Sequence, residues 1–165
     1  MSNAVTGTIA FQCSLVETVT TDLDSVLSPA NLSVVKAIVS GTTSDKMDLL
    51  WFDVDSLAST TRNLDLRGSL TSAAGTAFSP VEVRLIIIVN SSSTVLLLGG
   101  GSNPAFSGLF ADASDKISIP PGLFVWYCGT DGVGLQTTVS TADILKLDSG
   151  ASTVNYTIIL GGVSA

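Results

Sequence analysis

The feature that most constrains this chain is the spacing of its apolar residues. β-Branched and aromatic side chains come in short bursts separated by Gly, Ser, Asp and Asn from end to end, and no apolar stripe at helical spacing is long enough for an independent helix. That rhythm predicts an all-β fold. Twelve candidate strands follow, over 5–13, 15–20, 32–40, 47–54, 62–66, 81–90, 94–98, 116–119, 123–128, 136–140, 144–147 and 154–160. Many short strands with frequent turns and no internal repeat fit an antiparallel β-sandwich, jelly-roll-like, better than a propeller.

Three segments are expected to form the core. Val81 to Val89 alternates and then becomes apolar on both faces, so its first half should be half-exposed and its second half buried. Val154 to Leu160 behaves similarly, and Leu123 to Cys128 carries the bulk that fills the layer between two sheets. Pro120-Pro121-Gly122 predicts a turn between strands, because the prolines fix φ and the glycine accepts a positive one. Only Asp22 to Leu27, Leu57 to Thr61 and Leu70 to Ala74 have a composition compatible with a helical turn.

A chain of 165 residues without a charged or low-complexity divider predicts one sandwich domain over 1–165. It is 45% hydrophobic and only 13% charged, so much of its surface must be Ser, Thr, Gly or apolar, which suits permanent contact with neighbours. The seven basic residues are scattered and the net charge is −7, which argues against direct binding of nucleic acid or an anionic membrane. Apolar runs such as Leu85 to Val89 are too short to span a bilayer. The first residues lack the basic region and apolar stretch of a secretory signal, so export by that route is not expected. Cys13 and Cys128 lie in apolar segments and are expected to be buried free thiols.

Chemistry finds little purchase. There is no histidine, which removes the commonest general base and zinc ligand, and the lysines have no accompanying Ser motif. Asp22 with Asp24, and Asp53 with Asp55, have the spacing of two that puts both carboxylates on one face of a strand, where a divalent cation could bind. Neither pair has the further oxygen ligands of a calcium loop, and turn capping explains both more simply. Gly99 to Ser102 lacks the Lys-Ser/Thr and the helix of a phosphate loop, so a tight inter-strand loop is expected. Phe106, Leu109 and Phe110 follow in a loop, either as core plugs or as contact residues. Trp51, Trp126, Tyr127 and Tyr156 are expected in the core, with an aromatic platform for sugar as the alternative. The sequons at Asn31, Asn90 and Asn155 arise readily in a Ser/Thr-rich chain. Neither a catalytic residue, a metal nor a cofactor is expected.

The stretch Asp48-Leu-Leu-Trp-Phe-Asp-Val-Asp-Ser-Leu-Ala58, followed by Asn63-Leu-Asp-Leu-Arg-Gly-Ser-Leu70, resembles small structural proteins of tailed bacteriophage particles. The likeness continues through Val83 to Asn90, the Leu98 to Gly101 turn, Ile119-Pro-Pro-Gly-Leu-Phe124, Asp143 to Leu147 and Val154 to Gly161. It implies a jelly-roll-like virion component, foremost a capsid decoration or cement protein bridging shell subunits. A tail or fibre-base subunit is the alternative, and a carbohydrate-binding module the alternative of another class. The implied partners are the major capsid protein or other virion proteins and further copies of the chain, with a trimer favoured, and the implied location is the virion, assembled in the bacterial host cytoplasm. Residues 1–45 match less well; in such proteins this segment can reach onto a neighbour.

Overall fold

The computed structural model describes residues 4–20, 25–43, 46–68, 70–101, 105–110, 112–127 and 133–164. Among them there is no helix, and the strands are β1 (Gly7–Thr20), β2 (Ser25–Ile38), β3 (Leu49–Ala58), β4 (Thr61–Asp65), β5 (Glu82–Asn90), β6 (Leu96–Gly99), β7 (Lys116–Ile119), β8 (Gly122–Tyr127), β9 (Leu135–Gln136), β10 (Ile144–Asp148) and β11 (Thr153–Val163). Every ladder between them is antiparallel.

From β3 onward the pairing is nested: β3 with β11, β4 with β10, β5 with β8, β6 with β7. A chain paired in that way is one long hairpin. Rolling it up adds the contacts β11–β5 and β10–β6 and closes two sheets, β3-β11-β5-β8 and β4-β10-β6-β7, with β9 as a short extra partner of β5. This is the jelly-roll topology, and the β-sandwich read from the sequence is present.

The register explains the core. On the inner face of the first sheet one row runs Trp51, Leu160, Ile86, Trp126 and the next Asp53, Ile158, Ile88, Phe124. The second sheet presents Leu64, Leu145, Leu147, Leu96, Leu98 and Ile119 against them, all buried. Phe78 and Phe106 are buried in the same layer. At ~1.5 to 3 kcal/mol for each fully buried aliphatic side chain, this layer holds the sandwich together.

Several sequence expectations are corrected. The two stretches 5–13 and 15–20 are one strand, and Ser25 to Leu27, expected in a helical turn, open β2; Asp22 and Asp24 lie outside the described residues. Leu57 and Ala58 end β3, and 70–74 form a turn bridged from Thr71 to Ala77. In β5 the expectation holds for half-exposed Val81 and Glu82 and for buried Ile86 and Ile88, but Val83 to Leu85 are already buried, and Val89 is exposed because it points away from the second sheet. β8 is an edge strand with Leu123 and Val125 exposed. Cys13 is a free thiol and only partly buried, and Cys128 lies outside the described residues.

Candidate assembly surfaces

β1 and β2 stand apart as a two-stranded sheet of fourteen consecutive pairs, Gly7 with Ile38 through Thr20 with Ser25. At ~3.4 Å per residue such an arm is roughly 45 Å long. Directly opposed residues share a face. One face therefore carries Ile9, Phe11, Cys13 and Leu15 from β1 with Val34, Leu32 and Ala30 from β2. The other carries Thr8, Ala10, Gln12, Ser14, Val16 and Thr18 with Val35, Ser33 and Asn31, a mixed face on which Val16 and Val35 are exposed, and across it the Ser14 hydroxyl donates to Asn31 Oδ1 at 2.8 Å. Along the first face Phe11 is 45% and Leu15 63% exposed. A lone two-stranded hairpin is marginal in water, and one with an uncovered apolar face is more so.

Only the root of the arm is packed. Ile38, Met47 and Leu85 form a buried cluster with Val5, Ile9, Ile87, Tyr127 and Ile159 around it. Gly161 makes room for it: a Cβ there would lie 2.6 Å from Met47 Sδ. Arg84 ties down the loop that leaves the arm. Its guanidinium donates to the carbonyls of Thr43 at 2.6 Å and Lys46 at 2.9 Å, and pairs with Glu82 at 3.0 Å. Burial alone would raise the Glu82 carboxyl, but hydrogen bonds from Gln136, the Gly134 N–H and Arg84 outweigh it and hold its pKa below the ordinary value.

The root sits on a second apolar surface, the outer face of the β3-β11-β5-β8 sheet. Phe52, Ile159, Ile87 and Val125 are in register across all four strands, and so are Val54, Thr157, Val89 and Leu123. Phe52 is 51% and Leu123 57% exposed, and Val54 and Val125 are exposed beside them. The sheet is thus apolar on both faces; the arm root packs on Ile87 and Ile159 at the centre of the first row, and Phe52, Val125, Val54, Val89 and Leu123 around them stay exposed. An open groove of about 350 Å³, lined by Val5, Leu50, Phe52 and Ala73 among others, continues the surface past β3.

The expected carboxylate pair does form. Asp53 and Asp55 lie on one face of β3, but in mid-strand rather than capping a turn, and Arg62 of β4 occupies the space between them. Its nitrogens sit 2.6 Å from each carboxylate and 2.8 Å from the Tyr156 hydroxyl, with the guanidinium 5.9 Å from the centre of the Trp51 ring. Burial lowers the Arg62 pKa, yet the hydrogen bonds to Tyr156 and Asp53 leave it raised; burial is the main reason that Tyr156 is raised. This cluster closes the edge between the two sheets, and its carboxylate oxygens are engaged by a cation the chain itself supplies. Among the described residues no group of three or more His, Cys, Asp or Glu could hold a metal ion.

The remaining candidates separate. Phe106 is a core residue, while Leu109 and Phe110 pack against the core and keep part of their surface; a Cβ on Gly99, whose φ is 98°, would collide with the Phe110 ring at 2.6 Å. Trp51 and Tyr156 are buried, Trp126 faces inward from an edge and Tyr127 outward, so the four aromatics form no common platform. The sequence signal for the arm was present in the alternation of 7–20 and 25–38, but nothing in it distinguished an arm from a sandwich strand. No protein-family model, no curated protein and no solved structure matches the chain.

Proposed function

We propose that this protein is a non-enzymatic structural subunit of a tailed-bacteriophage virion, foremost a capsid decoration or cement protein that bridges neighbouring shell subunits. The observation that carries this reading is the projecting arm with its uncovered apolar face, set beside a partly uncovered apolar sheet. Surfaces of that kind are used by being covered, and a chain with 13% charged residues has few charges with which to keep them apart from a partner. The jelly roll is compatible with capsid proteins but also with lectins and cupins, so the fold alone does not select among them. The major capsid protein is the expected partner, the virion the expected place, and burial of apolar surface the whole of the chemistry, with no cofactor.

A tail or fibre-base subunit would use the same surfaces. The sugar-binding alternative has no such support, because its four aromatics do not converge. Co-sedimentation with purified shells of the phage that encodes the protein tests the proposal. Saturable binding at a fixed ratio to the shell subunit is expected. Protein that stays in the supernatant at saturating concentration refutes the decoration reading, and binding to isolated tails instead selects the alternative.

A further inference from the structure

We infer that the apolar face of the arm seats on the outer face of the β3-β11-β5-β8 sheet of a second copy of this chain, so that the functional unit is a closed, arm-exchanged homo-oligomer. This rests on the reading of the chain as an assembly subunit and specifies its first partner.

Three observations favour a second copy. The root of the arm already packs on this sheet face, Ile9 and Ile38 against Leu85, Ile87, Tyr127 and Ile159, so the two surfaces are chemically matched within one molecule. Their dimensions also agree. The uncharged part of the arm face is three rows, Phe11 with Val34, Cys13 with Leu32 and Leu15 with Ala30, bounded by Lys36 opposite Ile9 and by Glu17. Three rows span about 13 Å along a strand, and the four strands of the sheet face span about 14 Å between outer axes. Both surfaces lack charge at their centres, which excludes a strongly acidic or basic partner.

Area decides between a single and a reciprocated contact. One arm over one face covers roughly 360 Å², counting both partners, by the same strand spacings. That is about a third of what a specific interface needs, near 1,000 Å² at the least. Several contacts closing around a symmetry axis supply the difference, which is why the oligomer is closed. A lipid surface fits less well. A membrane-crossing strand needs about 9 to 11 residues, whereas Lys36 and Glu17 limit the uncharged strip to fewer.

The arm itself carries the reporter for a test, since Cys13 is a free thiol on the apolar face. In a Cys128→Ser background, Phe52→Cys and Val125→Cys each place a second thiol on the sheet face. Mild oxidation at micromolar protein is expected to link Cys13 of one copy to the new thiol of another, giving a species of twice the chain mass that disappears on Cys13→Ser. Light scattering of the unmodified protein is expected to give an integral multiple of 16.9 kDa, falling to one chain for Phe11→Asp and, separately, for Val125→Asp, both with an unchanged circular dichroism spectrum. A monomer at 100 µM, cross-links between Cys13 thiols without a sheet-face cysteine, or retention on phosphatidylcholine vesicles by a monomer would each overturn the inference. Shell binding is measured separately: a monomer that still sediments with shells overturns this inference alone, while an arm-exchanged oligomer that ignores shells and tails overturns only the virion reading.

Discussion

β11 and the arm are built from the same kinds of residue and meet opposite fates. Val154, Tyr156, Ile158 and Leu160 alternate along β11 and are all buried, because β5 and β3 flank the strand and the second sheet covers its inner face. Phe11, Leu15, Leu32 and Val34 alternate along the arm just as regularly and are all exposed. Period-two alternation fixes which side chains share a face. It does not say whether the cover for that face comes from the same chain.

The comparison is sharpest where the loss should be largest. Ile158→Ala removes a fully buried side chain from the middle of the core and is expected to cost ~4 kcal/mol, roughly 8 to 16 °C in melting temperature for a chain of this size. The sequence places Trp126 in the core. On an edge strand and only partly buried, Trp126→Ala should cost about 2 kcal/mol, less than burial of the whole ring would imply. A larger melting shift for Trp126→Ala than for Ile158→Ala would show that the edge, not the centre, holds the sandwich.

The joint between the two regions comes next. Arg84→Ala leaves the carbonyls of Thr43 and Lys46 without their donor and takes the ion-pair partner from Glu82, which keeps the Gly134 N–H, an expected loss of about 2 kcal/mol. Limited proteolysis should then cut within residues 39–48 before it cuts the sandwich. The same joint has a defined acid limit. Because Glu82 is held below its ordinary pKa in the folded state, its contribution is fully present above the unfolded value near ~4.3 and is lost as pH falls through the folded value. Protease resistance of the joint should be flat from about pH 8 to pH 5 and fall only below about pH 4. In Glu82→Gln that acid-induced fall should be absent; if it persists, another carboxylate anchors the loop.

Much of the sandwich was legible because its strands carry their own punctuation. The Pro120-Pro121-Gly122 turn separates β7 from β8, and the apolar run of β5 announces a central strand of the sandwich. What was missed has one cause. Ser14 looks like a break between two strands, yet on a long hairpin a serine simply meets Asn31 across the ladder. Val89 looks as apolar as Ile88, and only the position of the second sheet tells which is inside. The carboxylate pair at Asp53 and Asp55 was read on one face of a strand, but Arg62 was not connected to it. Residues seven and nine positions apart on strands of different sheets meet there only because the chain crosses the sandwich edge at Ser59. Each of these errors concerns what covers a face, never which residues share it.

The smallest expected effect therefore tests the comparison most directly. Leu15→Ser together with Leu32→Ser places two hydroxyls on the arm face, where neither side chain is buried in the single chain. Substitutions at such positions usually change stability by less than about 0.5 kcal/mol. Dilute protein should accordingly melt at the same temperature with or without the pair. Concentrated protein should not, because anything that binds only the folded state raises the melting temperature by an amount that grows with the logarithm of its concentration over the dissociation constant. If the arm is covered by a partner copy, the unsubstituted protein gains several degrees between 1 and 100 µM and the double variant gains none. A variant that melts lower even when dilute would make the arm part of the body's own folding unit, and the contrast between β11 and the arm would then be one of degree rather than of kind.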